Sequence, residues 1–566
     1  MQKKWSFKPV PDEQQTADLA RNLNINPYIV ALLVQRGVKT FEEAKAYFRP
    51  SLSQLHNPFL MKDMDKAVWR MEEAIRNREK ILIYGDYDVD GTTSVTLLYG
   101  FLRQFYNHLD FYTPDRNGEG YGVSNQGVQW AADRHVDLII CLDCGIKSVE
   151  PVEFAKSLGI DFIICDHHRP GEVLPPAFAV LDPKRSDCPY PYKELSGCGI
   201  GFKLLQALCE NNDLPIDRLY SFLDLLAVSI GADIVPIDGE NRILAHYGLK
   251  KLNLDPRNGL KAIIETSGLK KPIEISTIVF GIAPRINASG RMTHAKQAIE
   301  LLLSDDYKKA EELALQANNT NEQRRDFDVS TTLEAYQMIE AESGNKLAAT
   351  ILYKEDWHKG VIGIVASRCL DKYYRPTIIL TSSNNRITGS ARSVHGFDIY
   401  EALSSCADVL EQYGGHTHAA GLTMAYEKLP EFKEKFEKIA AERITEELTT
   451  PLLNIDLRLP LQEVSFKFAA LIKQMQPFGP ENMQPIFVSE NVQCDGIVKV
   501  LKGEHIKIYV KQENSRPIEA IGFGLAAYAT DIESGKKFDI AYQVIENDYK
   551  GKVSLQLMLK DIRIAD

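Results

Sequence analysis

The sequence predicts an α/β protein of several domains. A doubly wound parallel-sheet domain comes first, a second, smaller α/β domain is joined to it by long helices, and a β-barrel ends the chain. Three observations carry this expectation. From about Lys80, apolar runs of strand length alternate with helical patterns, which is the signature of a parallel sheet. Residues 299 to about 343 are rich in Ala, Leu, Glu and Lys and poor in Gly and Pro, which suits a rigid helical connector. Beyond Pro451 the pattern changes to short alternating strands, as in a small barrel.

In order along the chain, residues 1–75 are mostly helical by pattern, with Pro50 and Pro58 marking a loop. Strands are expected near 81–84, 109–113, 138–142, 161–165 and 177–182, and helices near 92–107, 124–134, 148–158, 199–210 and 216–230. A region over 236–298 ends in the polar stretch Pro284–Arg291. The second α/β region, about 347–445, has strands at Ala348–Tyr353, Thr377–Thr381 and Arg386–Ala391 and a glycine-rich loop at Gly414–Gly421. The last region has strands at Leu453–Arg458, Val492–Val500, His505–Val510, Ile518–Gly522, Phe538–Ile545 and Val553–Ile562. Domain boundaries follow at 1–75, 76–240, 241–345, 346–446 and 451–566.

Composition narrows the function classes. The 566 residues exceed what one core organises, and 44% apolar with 25% charged residues is ordinary globular usage. No apolar stretch approaches a membrane span, and Met1–Ser6 lacks the apolar core of a signal peptide, so a cytoplasmic protein without a membrane partner is expected. The nine cysteines are scattered and read as reduced thiols. Cys141 and Cys144 form a CxxC without a second pair, which points to packing at a strand end rather than zinc. A net charge of −11 argues against a basic coat for duplex DNA, yet it is compatible with a nucleic-acid enzyme whose Lys and Arg line a channel.

The chemistry sits at strand ends. Asp88 and Asp90 follow Ile81–Tyr84 within a loop bounded by Gly85 and Gly91, and both carboxylates can turn toward one point. Asp143 ends a second strand, Asp166, His167 and His168 end a third, and Asp233 follows an apolar helix. Singly, a DxD pair is most often a cap and a His-His pair structural. Their conjunction is not something packing requires, and clustered carboxylates repel unless cations neutralise them. A divalent metal site, of two ions, is therefore expected, with Mn2+ suited by the mixed Asp and His set at least as well as Mg2+. A second constellation suits an anion: Gly414, Gly415 and His416, then Ser390 and Arg392 two apart on one strand face, then a helix opening at Lys359–Gly363. Arg116, Arg285 and Arg291 are further basic candidates.

These segments resemble a known family. Asp86–Gly91, Asp143, Asp166–His168 and Asp233 are similar to the motifs of the DHH phosphoesterases, and Gly414–Gly421 to the GGHxxAAG signature of the associated DHHA1 domain. Phe111–Gly122, Arg285–Arg291, Gly389–Gly396 and the C-terminal β region, which resembles an oligonucleotide-binding (OB) domain, extend the resemblance to the RecJ branch of single-strand exonucleases. The resemblance implies an enzyme dependent on Mn2+ or Mg2+ that degrades single-stranded DNA 5′→3′ to 5′-mononucleotides, in DNA repair and recombination. It implies one ion on Asp90, Asp143, His167 and Asp233, a second on Asp88 and Asp143, and Asp86 nearby. His168 would lie against the scissile phosphate, with Asp143 and Asp166 sharing the catalytic role. Arg116, Ser390 and Arg392 would hold the 5′ phosphate, Gly414, Gly415 and His416 the backbone near the cut, and Arg285, Asn287 and Arg291 the substrate as well. Tyr84 stands where pyrophosphatase relatives carry an extra metal His. A single-strand-binding protein and a helicase are partners suggested by the resemblance alone, and a monomer is the default state. The alternatives are a DHH phosphodiesterase of short oligonucleotides or cyclic dinucleotides, and a non-catalytic single-strand-binding replication scaffold. The N-terminal extension and C-terminal β region count against the first, and the intact ligand set against the second.

Overall fold

The computed structural model describes residues 3–116, 118–342, 347–513 and 515–565. The chain divides into two compact units. One comprises Trp5–Ile264, Gly268–Ala283 and Leu453–Asp566, the other Met1–Lys4, Glu265–Ser267 and Pro284–Leu452. The boundary expected at 345/346 falls at residues 343–346, outside the described residues.

In the first unit a parallel sheet runs in the order Leu109–Tyr112, Ile81–Gly85, Leu138–Leu142, Asp161–Cys165, Ala179–Leu181. Each strand lies where the apolar runs place it. Ile81–Gly85 and Leu138–Leu142 are buried along their whole length, which is why they read as unbroken apolar runs rather than alternating ones. The chain leaves Ile81–Gly85 for one neighbour and later pairs the other side with Leu138–Leu142. The C-terminal ends of these two strands are therefore the switch point, where open α/β sheets place ligands.

Two local expectations need correction here. The helix expected at 92–107 begins at Val89, because the Asp88 carboxylate accepts a hydrogen bond from Gly91 N at 3.0 Å and caps it. Asp88 and Asp90 thus belong to a helix start and not to a glycine-bounded loop. Gly91 is required by a close approach: a Cβ there would stand 2.4 Å from the Asp86 carbonyl oxygen. The helix expected at 216–230 is two, Asp217–Tyr220 and Leu223–Asp233, and Asp233 is its last residue rather than one that follows it.

The C-terminal region closes into a barrel. Phe487–Cys494, Phe538–Tyr549, Lys552–Ile564, Ile518–Gly522 and His505–Lys511 pair in sequence around it, and Gln493 opposite Lys511 closes the ring. The single strand expected at Val492–Val500 is two, ending at Cys494 and resuming at Lys499, because Gly496 turns the chain at φ +103. Helices of the N-terminal region complete this core: Ile29, Leu32, Leu33, Val38 and Ala44 pack with Phe468, Phe487, Ile508 and Phe538. The N-terminal region also holds a strand, Lys4–Phe7, paired with Leu452–Ile455. Its partner lies at the far end of the sequence, so no local pattern reports it.

Arg242 fastens the barrel to the rest of this unit. Its guanidinium donates to the carbonyls of Met475 at 3.1 Å, Gln476 at 3.0 Å and Tyr47 at 3.1 Å, and it lies 3.9 Å from the Tyr47 ring centre. Arg242→Ala strands those buried carbonyls and is expected to destabilise the protein by about 2–4 kcal/mol, read as a lower urea midpoint.

In the second unit a mixed sheet runs Gln412–His416, Ala419–Met424, Arg386–Arg392, Thr377–Ser383, Thr350–Tyr353. Helices Ile362–Tyr373 and Tyr307–Glu342 cover one face through Leu352, Val365, Cys369 and Ile379, while Phe432, Phe436 and Leu403 cover the other. The polar stretch Pro284–Arg291 lies within a helix, Ala283–Met292. The glycine-rich segment Gly414–Gly421 is a hairpin rather than a loop, its residues paired Gly414 to Gly421 and His416 to Ala419.

Candidate metal centre and anion site

Strand ends and two helix ends bring Asp90, Asp143, His167, His168 and Asp233 to one place. His167 Nε2 lies 3.1 Å from Asp143 Oδ1, 3.5 Å from Asp233 Oδ2 and 3.8 Å from Asp90 Oδ2. His167 is buried, yet neither ring nitrogen has a hydrogen-bond partner. Asp143 Oδ1 and Asp86 Oδ2 are likewise buried and unmet. Buried polar atoms without partners are rare in folded proteins, and here they converge. Asp143, His167 and His168, and separately Asp90, His167 and Asp233, each offer ligand atoms within 4.8 Å of one another.

Local structure sets each direction. Asp143 adopts φ +60, a left-handed conformation uncommon for a residue other than glycine. Gly197 faces it, and a Cβ there would stand 2.6 Å from the Asp143 Cβ. Asp90 is held by the N-terminus of Gly197–Asn211: Gly197 N donates at 2.7 Å, Cys198 N at 2.9 Å, and the Ser229 hydroxyl at 2.7 Å. Burial, reinforced by Asp90 and Asp88, pushes the Asp143 carboxyl well above its ordinary range. Burial, with Asp90 next, does the same to Asp233, and burial with Asp88 to Asp86. Burial also raises Asp88 and lowers His167 to about 4. A neutral His among crowded carboxylates is the protonation chemistry of a cation site.

His168 behaves differently. Its Nδ1 lies 2.7 Å from Asp166 Oδ1, while Asp166 also accepts from the backbone of Ile146 at 2.8 Å. Burial alone would lower His168, but the Asp166 hydrogen bond overrides it and raises the imidazole to about 9. Burial alone would raise Asp166, but His168 brings it to about 2. The raised His168 contributes stability that is complete below pH 6.5 and is lost as pH rises through about 9. The lowered Asp166 contributes stability present above 3.8 and lost as pH falls through about 2. In metal-free protein, Asp166→Asn is therefore expected to lower the melting temperature most between those limits and least above pH 9. A pH series of thermal melts checks this; a uniform decrement at every pH would contradict it.

The sequence pointed to these residues but missed four that serve them. Tyr121 hydroxyl donates to the Asp143 carbonyl at 3.0 Å and lies 3.1 Å from His168 Nε2. The Gly120-Tyr121-Gly122 run, with both glycines at positive φ, was a usable signal. Ser229 and Gly197 act through contacts distant in sequence and left no signal. Asp182, buried at the end of the edge strand with Oδ2 unmet, is pushed up to about 7 by burial. Arg116 lies 5.2 Å over the Tyr87 ring, and its charge opposes the rise at Asp86. Tyr84 is buried and donates to the Gly122 carbonyl at 3.1 Å. Cys141 and Cys144 are free and buried, with sulfurs 3.2 Å apart.

In the second unit Ser390 and Arg392 project from one strand face, and Arg392 Nη1 donates to Ser390 Oγ at 3.0 Å. Both press on the first turn of Ile362–Tyr373, where a Cβ on Gly363 would stand 2.9 Å from Ser390 Oγ and 3.0 Å from Arg392 Nη2. Helix N-terminus, hydroxyl and guanidinium thus meet, a combination suited to phosphate. Register places Gly414 and Gly421 in one row with Ser390, and His416 and Ala419 in one row with Arg392. The bare glycines leave open space on the strip beside Ser390. Arg291 Nη1 donates to the Gly360 carbonyl just before the helix, at 3.0 Å. Arg285 instead donates to Asn318 on the long helix at 2.5 Å, and Asn287 is half-buried on the same helix as both arginines.

Comparison with known proteins gives a consistent result. Three family models match in order: the DHH family, N-terminal domain, over residues 80–230; the DHHA1 domain over 344–442; and the RecJ OB domain over 455–561. The single-stranded-DNA-specific exonuclease RecJ of Bacillus subtilis (strain 168) is 38% identical over 568 residues, covering 100% of this chain and 71% of the relative. That of Escherichia coli (strain K12) is 30% identical over 574 residues, 97% of each chain. The crystal structure of RecJ in complex with Mn2+ from Thermus thermophilus superposes with a TM-score of 0.86 at 26% identity, covering 100% of this chain and 80% of that one. The same enzyme in complex with Mg2+ gives 0.79 at 25% identity, covering 100% and 79%. The expected order of a DHH domain, a DHHA1 domain and an OB domain is thereby borne out.

Proposed function

The chain belongs to the RecJ family of single-stranded-DNA-specific exonucleases, and from that premise we propose that it degrades single-stranded DNA from the 5′ end to 5′-mononucleotides in DNA repair and recombination. The observation that carries the reading is His167. Both its nitrogens are buried without partners, among carboxylates 3.1–3.8 Å away. A core histidine would have found a hydrogen bond; a metal ligand has no need of one.

The donor set of carboxylate oxygens with one imidazole fits Mn2+ or Mg2+. Asp90, Asp143, His167 and Asp233 would hold one ion, and Asp88 and Asp143 a second, with Asp86 beside them. Bound there, the ions supply Lewis acidity and an acidified water for phosphodiester hydrolysis. The protein contributes the rest. The Gly197 and Cys198 amides fix the Asp90 carboxylate, and Gly197 leaves room for Asp143. Asp166 keeps His168 protonated, so that it donates to the scissile phosphate. Ser390 and Arg392 are assigned the 5′ phosphate by the motif they match, and Arg116 by its own. Gly414, Gly415 and His416 carry the strand's backbone, and Arg285, Asn287 and Arg291 its further contacts. The same reading makes a single-strand-binding protein and a helicase its partners, a monomer its state and the cytoplasm its location. No helix among the described residues is long and apolar enough to cross a membrane.

The test uses purified protein with Mn2+ and a single strand several tens of nucleotides long, labelled at either end, beside blunt duplex and RNA. Mononucleotide released from the 5′ end of single-stranded DNA alone is the expected result. Cleavage confined to oligomers of a few residues would replace this reading with a small-substrate phosphodiesterase.

A further inference from the structure

The long helix Tyr307–Glu342 carries Asn321 and Arg324 one turn apart, each with one buried polar atom that has no hydrogen-bond partner. Asn321 is 4% exposed and its Oδ1 has no hydrogen-bond partner; Arg324 Nε is also buried and unmet. The two ends of an amide are interchangeable in a hydrogen-bonded site, so Asn321 can equally present its NH2. Arg324 as a whole is half-buried, but a guanidinium N–H removed from water without an acceptor is costly, and a ligand anion relieves it.

The surrounding charge is mixed, with Arg325, Arg368 and Arg285 set against Asp328 and Glu322. Burial, together with Arg325 and Arg368 against the opposing pull of Asp328, holds the Arg324 guanidinium below its usual range. Burial and Arg325, with Arg324 also contributing against the pull of Glu322, lower Arg285. Asp328 only partly offsets the group, because its carboxylate also accepts from Arg368 Nη2 at 2.7 Å. The cluster also adjoins the anion site already described. Phe327, on the same helix, stacks on His358 at 5.4 Å, and His358 precedes the Gly360 carbonyl that Arg291 reaches.

We propose that Arg324, with Asn321 beside it and Arg285 near it, binds a backbone phosphate of single-stranded DNA distinct from the one assigned to Ser390 and Arg392. This rests on the exonuclease reading. A guanidinium fork flanked by an amide matches the oxygens of a phosphodiester, and repeated phosphates account for a second basic site in the same unit.

Binding of full-length protein to single-stranded DNA, in an Asp143→Ala background and over a series of salt concentrations, tests it. Each phosphate contact on a single strand contributes about 0.7 to the salt slope. Arg324→Gln is expected to lower the slope by about that amount and to weaken binding roughly tenfold regardless of base sequence. Asn321→Asp, nearly isosteric, sets a carboxylate against Arg324 where the phosphate would lie. It is expected to raise the melting temperature while producing the same loss of affinity and slope, which a merely structural Arg324 would not produce. Unchanged slopes in both variants, with a parent that binds, would overturn the Arg324 site alone. A parent that fails to bind single-stranded DNA would overturn the exonuclease reading beneath it.

Discussion

Replacing Asp143 by alanine is expected to lower nucleotide release from single-stranded DNA by about three orders of magnitude or more, since metal ions supply several kcal/mol of charge stabilisation and each 1.36 kcal/mol is tenfold. Asp143 is the shared member of both proposed ion sets, lies 3.1 Å from His167 Nε2, and keeps Oδ1 free of any other partner. The same substitution is expected to stabilise the metal-free protein. Burial and the charges of Asp90 and Asp88 raise the Asp143 carboxyl well above 3.8, so the folded state binds more protons than the unfolded chain. Stability of the parent protein therefore falls as pH rises above the ordinary carboxylate range. The alanine variant has a flatter profile and a higher melting point near neutrality in a chelator. Mn2+ raises the melting temperature of the parent and much less that of the variant. Retained cleavage with normal metal dependence would remove Asp143 from the centre of the site.

Arg392→Ala is expected to slow degradation of a 5′-phosphorylated strand by about ten- to a hundredfold, the worth of a hydrogen bond to a charged group, while changing a 5′-hydroxyl strand little. Arg392 and Ser390 meet at 3.0 Å against the first turn of Ile362–Tyr373, so hydroxyl, guanidinium and helix N-terminus converge where the proposed 5′ phosphate would sit. Arg392→Lys keeps the charge but loses the fork, and recovers only part of the preference. Kinetics on paired substrates differing only in the terminal phosphate separate this from general loss of DNA affinity. An equal loss on both strands would assign Arg392 to the backbone instead of the chain end.

The candidate site was largely legible in sequence because its residues follow buried parallel strands directly. An apolar run such as Ile81–Tyr84 announces its own end, and the next polar residue stands at the C-terminal edge of the sheet. Less legible was how those residues are held. Asp88 and Asp90 read as a loop because Gly85 and Gly91 flank them, yet Gly91 is glycine for lack of room beside the Asp86 carbonyl, within a helix turn. Gly414–Gly421 read as a loop for the same reason, although strand pairing to Arg386–Arg392 absorbs its glycines into a sheet. The strand Lys4–Phe7 was illegible, since its partner is Leu452–Ile455.

The layered order of the domains, the strands of the parallel sheet, and the acids and histidines at their ends can be read from the chain alone. These follow from hydrophobic periodicity and chain direction, which act over a few residues. Packing between distant segments is what leaves His167 without a hydrogen-bond partner, sets Ser229, 139 residues away, against Asp90, and buries Asn321 Oδ1 and Arg324 Nε unmet. Each of these depends on which distant segments exclude water from a side chain. Exclusion of water is a property of packed surfaces and has no signature in local spacing.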